Sequence, residues 1–215
     1  MIERIIEKTA DGTATLFVPS LNEHYHSIKG ARTESQHIFI DMGMKQSAVP
    51  APRILEIGFG TGLNAFLTLL ASEELHKQIH YTGMELYPLS WETIAELKYS
   101  NTPLFRALHE TAWDTETDIT PLFTIHKIQE DFTQCTFTGA YDVIYFDAFA
   151  PEKQPEMWNR QSFEYLYRRM NTSGILTTYC AKGTIRRMLQ DTGFVVERLP
   201  GPPGGKREIV RARKN

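Results

Sequence analysis

Short apolar runs alternate along most of the chain with longer segments in which apolar residues recur every three or four positions. The short runs are rich in β-branched and aromatic residues and are typical of strands, whereas the longer segments are typical of helices that bury one face. Strands are predicted at 53–57, 79–85, 122–129, 141–147, 175–180, 194–199 and 208–213. Helices are predicted at 63–72, 89–98, 103–111, 159–170 and 184–192.

This alternation predicts an α/β fold in which helices cover both faces of a mostly parallel, seven-stranded sheet. Only the loop 200–207 separates the last two predicted strands, and so short a connection requires antiparallel pairing. A parallel sheet with an antiparallel C-terminal strand is the arrangement of Rossmann-like methyltransferases that depend on S-adenosylmethionine.

Residues 1–50 precede this alternation and are predicted to form a small β extension packed on the main domain, which spans 51–215. Weak alternation over 2–7, the turn Asp11-Gly12 and an apolar run over 14–18 predict a hairpin. A polar stretch over 22–35 follows, and then a short apolar run over 37–42 that is predicted to be a strand.

Composition narrows the class of protein. The length of 215 residues suits one domain, and the absence of an apolar run of about 18 residues predicts no transmembrane helix. The acidic N-terminus argues against a secretory signal, and only two cysteines, Cys135 and Cys180, fit a reducing cytoplasm.

No metal site is predicted, because the seven histidines lack ligand spacing; for His24 and His26, the nearest case, a loop or surface role is favoured.

The net charge of −3 hides an asymmetry along the chain. Residues 153–215 contain 13 basic and 5 acidic residues, a balance of +8, which leaves a balance of −11 for residues 1–152. A basic C-terminal third is compatible with an anionic partner such as RNA. Charge alone, however, favours the simpler interpretation of solvated helix faces.

A glycine-rich turn over 56–62 connects the first strand of the predicted sheet to the first helix. Ligands in such sheets bind at the carboxyl ends of the strands, where glycines let the backbone approach a ligand closely. The spacing G-x-G-x-G differs from the dinucleotide fingerprint G-x-G-x-x-G. The acid that precedes the glycines, Glu56, can balance the ammonium of S-adenosylmethionine. S-adenosylmethionine is therefore favoured over a nicotinamide dinucleotide, with contacts at Glu56, Gly58, Gly60 and Gly62.

Two further acids follow predicted strands. Glu85 ends the second strand, where a carboxylate can accept both hydroxyls of a cofactor ribose; a surface acid is the alternative. Asp131 follows the third strand, where an acid can accept from the adenine amino group. A helix N-cap is an equally good interpretation of Asp131.

The apolar strand 141–147 leads directly to an acid, Asp147, at the edge of the predicted cofactor crevice. Such a placement is costly unless the carboxylate is hydrogen-bonded or functional. Methylation of an amine needs a neutral nitrogen, and a carboxylate can orient that amine and take its proton. Asp147 is therefore the predicted catalytic residue, with Phe149 as an aromatic neighbour; an acid that caps the next loop is the alternative.

The loop 201–208 between the last two strands is glycine-rich and contains two cations. Such a loop can clamp a phosphate backbone, and nearby cations on the preceding helix extend the predicted patch. A flexible, solvated hairpin is the alternative. The predicted RNA contacts are Lys182, Arg186, Arg187, Lys206 and Arg207.

Five segments of the chain carry a resemblance to a known family: Tyr25-His26-Ser27, 56–64, 146–151, 155–158 and 205–208. They resemble the methyltransferase domain of MnmC, which also occurs as the stand-alone enzyme MnmD. The resemblance runs from about Tyr25 to the C-terminus, so residues 1–20 inherit nothing from it. It makes Asp147 the key carboxylate and Phe149 an active-site aromatic residue. The cofactor contacts that it implies are Tyr25, Ser27, Glu56, Gly58, Gly60, Gly62, Asn64 and Glu85.

The family methylates the primary amine of 5-aminomethyl-(2-thio)uridine at the wobble position (U34) of tRNA. The resemblance thus implies the anticodon loop of tRNA as a partner and the cytoplasm as the compartment. Bifunctional members have a second, FAD-dependent domain that exposes the amine, for which 215 residues leave no room. We therefore expect a separate enzyme or pathway to supply the aminomethyl group. The alternatives are methylation of a small-molecule or protein amine, and a non-catalytic RNA-binding module.

Overall fold

The computed structural model describes residues 2–136 and 138–215. Within these residues the strands are β1 (Ile5–Lys8), β2 (Ala14–Val18), β3 (Glu23–His24), β4 (Arg53–Ile57), β5 (Ile79–Met84), β6 (Glu116–Thr120), β7 (Phe123–Ile128), β8 (Tyr141–Phe146), β9 (Met170–Thr178), β10 (Val195–Pro200) and β11 (Glu208–Arg213). The α-helices are α1 (Ala31–Ser35), α2 (Leu63–Leu75), α3 (Trp91–Glu96), α4 (Pro103–Glu110), α5 (Arg160–Arg168) and α6 (Gly183–Thr192). In the part of the chain that the structure describes, no helix is long and apolar enough to cross a bilayer.

A large sheet has the strand order β10-β11-β9-β8-β4-β5-β7-β6. The four central contacts, β9–β8, β8–β4, β4–β5 and β5–β7, are parallel, whereas β11 is antiparallel to both β9 and β10. This topology confirms the predicted α/β fold, with its mostly parallel sheet and antiparallel C-terminal strand. The chain runs outward from β4 through β5 and β7, then returns to β8 on the other side of β4. A ligand crevice is expected where the strand order reverses in this way.

The predicted number of seven strands was wrong, because β6 adds an eighth strand at the edge of the sheet. Its sequence, Glu-Thr-Asp-Ile-Thr, pairs antiparallel with β7 and remains largely accessible to solvent. An edge strand has a neighbour on one side only and needs no continuous apolar run. The hydrophobic pattern therefore contained no signal for it.

The two faces of the sheet bury separate apolar clusters, because side chains alternate along a strand. Ile54, Val143 and Tyr145 face a cluster that includes α2, α4 and part of the N-terminal region. Leu55 and Ile144 face a second cluster that includes α5 and α6. The sheet is thus covered on both faces, as expected for parallel strands.

The N-terminal region forms a three-stranded antiparallel sheet, which confirms the predicted hairpin and adds the short strand β3. The predicted strand at 37–42 was wrong, because the segment Gln36–Asp41 continues α1 as a π-helical turn. Its side chains Ile38, Phe39 and Ile40 are all buried in the core. A short, fully apolar run has no periodicity that separates a buried strand from a buried helical segment, so the pattern was ambiguous here.

Lys127 on β7 is a buried cation, only 1% exposed. Its ammonium donates a hydrogen bond to the carbonyl oxygen of His109 over 2.7 Å, and it lies 5.0 Å from the centre of the Trp113 ring. Burial lowers the pKa of Lys127 from 10.5 to about 8. The folded chain therefore bears a cost for keeping this group charged at neutral pH.

We expect Lys127→Met to raise the free energy of unfolding at pH 7 by about 1–3 kcal/mol, because it replaces a buried charge by an apolar side chain. The pKa is lower in the folded chain, so the wild type should gain stability relative to the variant as the pH rises from about 8 to 10.5. Urea unfolding at pH 7 and pH 10 measures both effects. Lys8→Met, at an exposed position, is the control, and an equal response of the two variants would contradict the assignment.

Candidate active site at the carboxyl ends of the central strands

A cavity of about 710 Å³ opens where β4, β5 and β8 end. Its volume lies within the range of small-molecule and cofactor sites, roughly 300–1,000 Å³. The structure brings together here nine of the residues predicted from the sequence. These are Tyr25, Ser27, Gly58, Gly60, Glu85, Asp131, Asp147, Phe149 and Lys206.

The glycine-rich turn passes very close to the end of β8. Gly58 has a φ of +91°, in the region that favours glycine, and a Cβ atom added there would lie 2.6 Å from the carbonyl oxygen of Asp147. Gly60 has a φ of +50°, and its N–H donates to Oε2 of Glu85 over 2.9 Å. Backbone conformation and close packing thus both require glycine at position 58.

Glu85 follows β5 and is held by the backbone on both oxygens. Oε2 accepts from the N–H of Gly60, and Oε1 accepts from the N–H of Tyr87 over 2.9 Å. Each carboxylate oxygen still has accepting capacity, so the group is oriented for further donors in the cavity. A pair of ribose hydroxyls would supply such donors, and the ribose contact at Glu85 stays a prediction.

Asp131 follows β7 and also lines the cavity. Its Oδ1 accepts from the N–H and the hydroxyl of Thr133, each over 2.8 Å. Asp131 thus caps a turn, and because no helix begins after it, the alternative of a helix N-cap was wrong. A contact between Asp131 and adenine stays a prediction.

Glu56, the residue predicted to balance a cofactor ammonium, is fully buried in β4 and does not line the cavity. It accepts hydrogen bonds from the hydroxyl of Tyr81 over 2.6 Å and from Nδ2 of Asn64 over 2.8 Å. Burial, to which the charge of Asp147 adds, raises the pKa of Glu56 well above its usual range. Glu56 thus lies behind the cavity wall, where burial favours its protonated form and the two hydrogen bonds oppose that effect.

Asn64, in the first turn of α2, was predicted as a cofactor contact but is buried and is not among the residues that line the cavity. Its Nδ2 donates to two carboxylates, Oε1 of Glu56 and Oδ2 of Asp147, each over 2.8 Å. An amide nitrogen has two hydrogens, so one group serves both acids. Gly62, also predicted as a cofactor contact, lies against the side chains of His109 and Phe59 rather than on the cavity.

Asp147 follows β8, and its N–H donates to the carbonyl of Ile57, so it continues the pairing of two central strands. Burial raises the pKa of Asp147 to about 7, and the charge of Glu34 acts in the same direction. The hydrogen bond from Asn64 and the charge of Lys206 oppose this rise. A carboxylate that titrates near neutral pH is suited to accept and release a proton.

The segment after Asp147 is a structured loop. The N–H of Phe149 donates to Oε1 of Gln154 over 2.9 Å, and the indole N–H of Trp158 donates to the carbonyl of Phe149 over 2.7 Å. The Phe149 ring packs edge-on against Tyr25, with 5.1 Å between ring centres. The two hydrogen bonds explain why the sequence from Asp147 to Trp158 forms one motif. They fix the backbone of Phe149 at the cavity.

The predicted basic patch divides into two parts. Lys206 lines the cavity and pairs with Glu34, whereas the other four cations do not line it. Of these, Lys182 pairs with Glu152 at the surface and Nε of Arg186 donates to the carbonyl of Ala181. Arg187 and Arg207 are exposed.

Several residues of the cavity wall had no signal in the sequence. Arg4 of the N-terminal sheet region lines the cavity and donates to the hydroxyl of Tyr25 over 3.1 Å. His26 lies in a loop, as expected, but it is buried rather than at the surface, and its Nε2 bonds to Oγ1 of Thr61 over 2.7 Å. Burial lowers the pKa of His26 to about 4. Among the described residues, no group of three or more His, Cys, Asp or Glu is arranged to hold a metal.

Comparison with known proteins identifies related sequences. A family described as S-adenosyl-L-methionine-dependent methyltransferase matches residues 90–215. The bifunctional protein MnmC of tRNA 5-methylaminomethyl-2-thiouridine biosynthesis from Magnetococcus marinus is 29% identical over 218 residues, which cover 92% of this chain and 32% of that protein. The protein of the same name from Burkholderia mallei is 27% identical over 98% of this chain and 36% of its own length. The chain thus spans about a third of these relatives.

Solved structures share the fold. MNMC2 from Aquifex aeolicus superposes with a TM-score of 0.82 at 23% identity, covering 99% of this chain and 70% of that one. Spermidine synthase from Thermotoga maritima superposes with a TM-score of 0.60 at 12% identity, covering 100% of this chain and 74% of that one.

We expect Gly58→Ala to weaken binding of S-adenosylmethionine by about tenfold or more, because strain at positive φ and the contact with Asp147 displace the cavity wall. Isothermal titration calorimetry measures the change. Gly204→Ala is the matched control, since Gly204 has a φ of +70° but no atom within 4 Å of the added Cβ. If both variants bind the cofactor as the wild type does, the close approach at Gly58 does not shape the site.

Proposed function

The chain belongs to the family of S-adenosyl-L-methionine-dependent methyltransferases, and we propose that it methylates the primary amine of 5-aminomethyl-(2-thio)uridine at the wobble position (U34) of tRNA. The product is 5-methylaminomethyl-(2-thio)uridine. The observation that carries the proposal is Asp147, a carboxylate with a pKa raised to about 7 on the wall of the cavity. The names of the MnmC relatives supply the substrate class.

The chemistry of the cavity fits S-adenosylmethionine. Gly58 and Gly60, at positive φ, let the turn pass close to the Asp147 backbone and the Tyr25 ring on the cavity wall, and Glu85 presents an oriented carboxylate for ribose hydroxyls. Tyr25, Ser27 and the turn-capping Asp131 complete the proposed contacts from neighbouring walls. Glu56 and Asn64 act indirectly, by supporting Asp147 from behind.

S-adenosylmethionine supplies a methyl group on a sulfonium sulfur. Transfer to the amine breaks one C–S bond and forms one C–N bond, and the arriving ammonium must first lose one proton to expose its lone pair. Asp147 is proposed to accept that proton at a carboxylate oxygen. Asn64 fixes the direction of the carboxylate through its bond to Oδ2. Phe149 and Tyr25 form an aromatic wall beside it, against which an unstacked base can lie.

Recognition of tRNA is proposed to use the anticodon loop, where an unpaired base is extruded at low cost. The exposed cations Arg187 and Arg207, together with Lys182 and Arg186, are the proposed phosphate contacts. A separate enzyme or pathway is proposed to supply the aminomethyl group, and the reaction is assigned to the cytoplasm, where tRNA is modified.

We expect Asp147→Asn to reduce methyl transfer by about 100-fold or more, because the amide cannot take up the amine proton. Mass spectrometry of wobble nucleosides, from tRNA that carries aminomethyl-uridine, measures the product. The variant should still bind S-adenosylmethionine and tRNA. Asp191→Asn, at an exposed position on α6, should remain as active as the wild type.

Transfer of a radioactive methyl group to this tRNA separates the proposal from its alternatives. Failure to label the tRNA while a small-molecule or protein amine is methylated would overturn the assignment of the substrate. Labelling that survives Asp147→Asn undiminished would remove Asp147 from the mechanism.

We expect Arg187→Gln to lower tRNA affinity and to reduce the magnitude of the slope of log K against log salt by about 0.7–0.9, the value for one lost phosphate contact. Filter binding at several salt concentrations measures the slope. Arg160→Gln, at an exposed arginine on α5 outside the proposed patch, should leave the slope unchanged. An identical slope for Arg187→Gln would exclude a phosphate contact at that position.

A further inference from the structure

Glu34 and Lys206 form an ion pair on the wall of the cavity, although they are 172 residues apart in sequence. Glu34 belongs to α1 in the N-terminal region, and Lys206 belongs to the loop between β10 and β11. The Glu34 side chain is only 9% exposed, against 36% for that of Lys206. A pair so placed is shielded from solvent far more than an ordinary surface pair.

Both partners are held by further contacts. The second oxygen of Glu34, Oε2, accepts from the N–H of Ser27 over 2.9 Å. The Lys206 ammonium lies 4.7 Å from the centre of the Tyr179 ring, and the Tyr179 hydroxyl donates to the carbonyl of Ala148 over 2.9 Å. Ala148 is the neighbour of Asp147 in the chain. The ion pair is therefore connected, through one aromatic residue, to the backbone that bears the catalytic carboxylate.

We propose that Glu34 and Lys206 are positioning residues for the reaction, with opposite effects on Asp147: Lys206 favours its ionised form, and Glu34 favours its protonated form. This inference rests on the methyl transfer to an amine proposed above. In this proposal the pair adjusts the balance between ionised and protonated Asp147, which neither the glycine-rich turn nor the cofactor contacts do.

The proton step needs both effects. The substrate amine arrives as an ammonium, R–CH2–NH3⁺, and its proton passes to the carboxylate of Asp147, which leaves a lone pair on nitrogen. After methylation the secondary ammonium leaves, and Asp147 releases its proton to water, so one proton is released for each methyl group transferred. A carboxylate that is too acidic does not accept the proton, and one that is too basic is already protonated.

The groups that face Asp147 come from every neighbouring element. Glu34 on α1 and Lys206 in the C-terminal loop line the same cavity as Asp147, and both charges act on its carboxyl. Asn64 on α2 donates to it, and Glu56 on β4 lies behind Asn64. Tyr81 on β5 donates to Glu56, and Tyr179, which follows β9, lines the cavity. Lys206 is the cation that lowers the pKa of Asp147, so its removal has a defined sign.

The first test follows the titration of Asp147 in the free protein, by NMR of carboxyl-¹³C aspartate assigned with Asp147→Asn. We expect Lys206→Met to raise the pKa of Asp147 by about one unit and Glu34→Gln to lower it by a similar amount. Lys206→Arg, which keeps the charge, should titrate close to the wild type, and it keeps the test valid if Lys206→Met does not fold. The readout needs neither cofactor nor tRNA, so it stands even if the proposed substrate is wrong.

The control is the exposed ion pair of Arg160 and Glu164 on α5, which carries the same charges far less shielded from solvent. Arg160→Met and Glu164→Gln should shift the titration of Asp147 by much less. The proposal is wrong if Glu34→Gln and Lys206→Met shift the pKa of Asp147 in the same direction, or if neither variant shifts it. An ion pair that only holds the two segments together would not produce shifts of opposite direction.

The second test follows kcat/KM for tRNA methylation against pH. Ionised Asp147 is the active form, so Lys206→Met should move the acid limb of the profile to higher pH and Glu34→Gln should move it to lower pH. If tRNA is not methylated at all, the proposed function fails while the NMR result still decides the proposal on the pair. If tRNA is methylated but the acid limb is the same in all variants, the pair does not control Asp147 during turnover and the proposal is wrong.

Discussion

Two carboxylic acids end adjacent parallel strands of the sheet, and a single amide serves both of them. β4 and β8 pair so that Glu56 lies opposite Tyr145 and Ile57 opposite Phe146, which brings Glu56 near Asp147. Burial raises the pKa of both acids, and the charge of Asp147 adds to the rise at Glu56. Asn64 reduces the cost of burying the two acids, because its amide nitrogen donates one hydrogen bond to each of them.

The surrounding structure follows from this constraint. Tyr81 on β5 donates to the second oxygen of Glu56, which leaves the buried acid with partners on both oxygens. α2 has to begin directly after the glycine-rich turn, because only then does Asn64 in its first turn reach both acids. Gly58 lets that turn pass within contact distance of the Asp147 backbone. Sheet, turn and helix thus combine to place one carboxylate of near-neutral pKa at the cavity.

The local sequence pattern predicts much of this arrangement. It does not predict contacts between residues that are far apart in the chain. The apolar runs of β4, β5 and β8 and the spacing of the glycines predicted the sheet and the position of Asp147, because those signals lie within a few residues. The edge strand β6 had no apolar run, and the π-helical segment Gln36–Asp41 had no periodicity. The partnership of Glu34 with Lys206 joins residues 172 positions apart, and no local signal connects them.

The N-terminal region illustrates why the missing information matters for function. Arg4 donates to Tyr25, Tyr25 packs on Phe149, and His26 bonds to Thr61 in the glycine-rich turn. The last two of these contacts cross from this region to the segments that line the proposed cofactor site and follow Asp147. The sheet supplies the crevice and positions Asp147 at its edge, but a fold of this class does not by itself determine the substrate. The N-terminal region and the C-terminal loop outside the sheet line further walls of the cavity, with Arg4, Tyr25 and Lys206 among the lining residues.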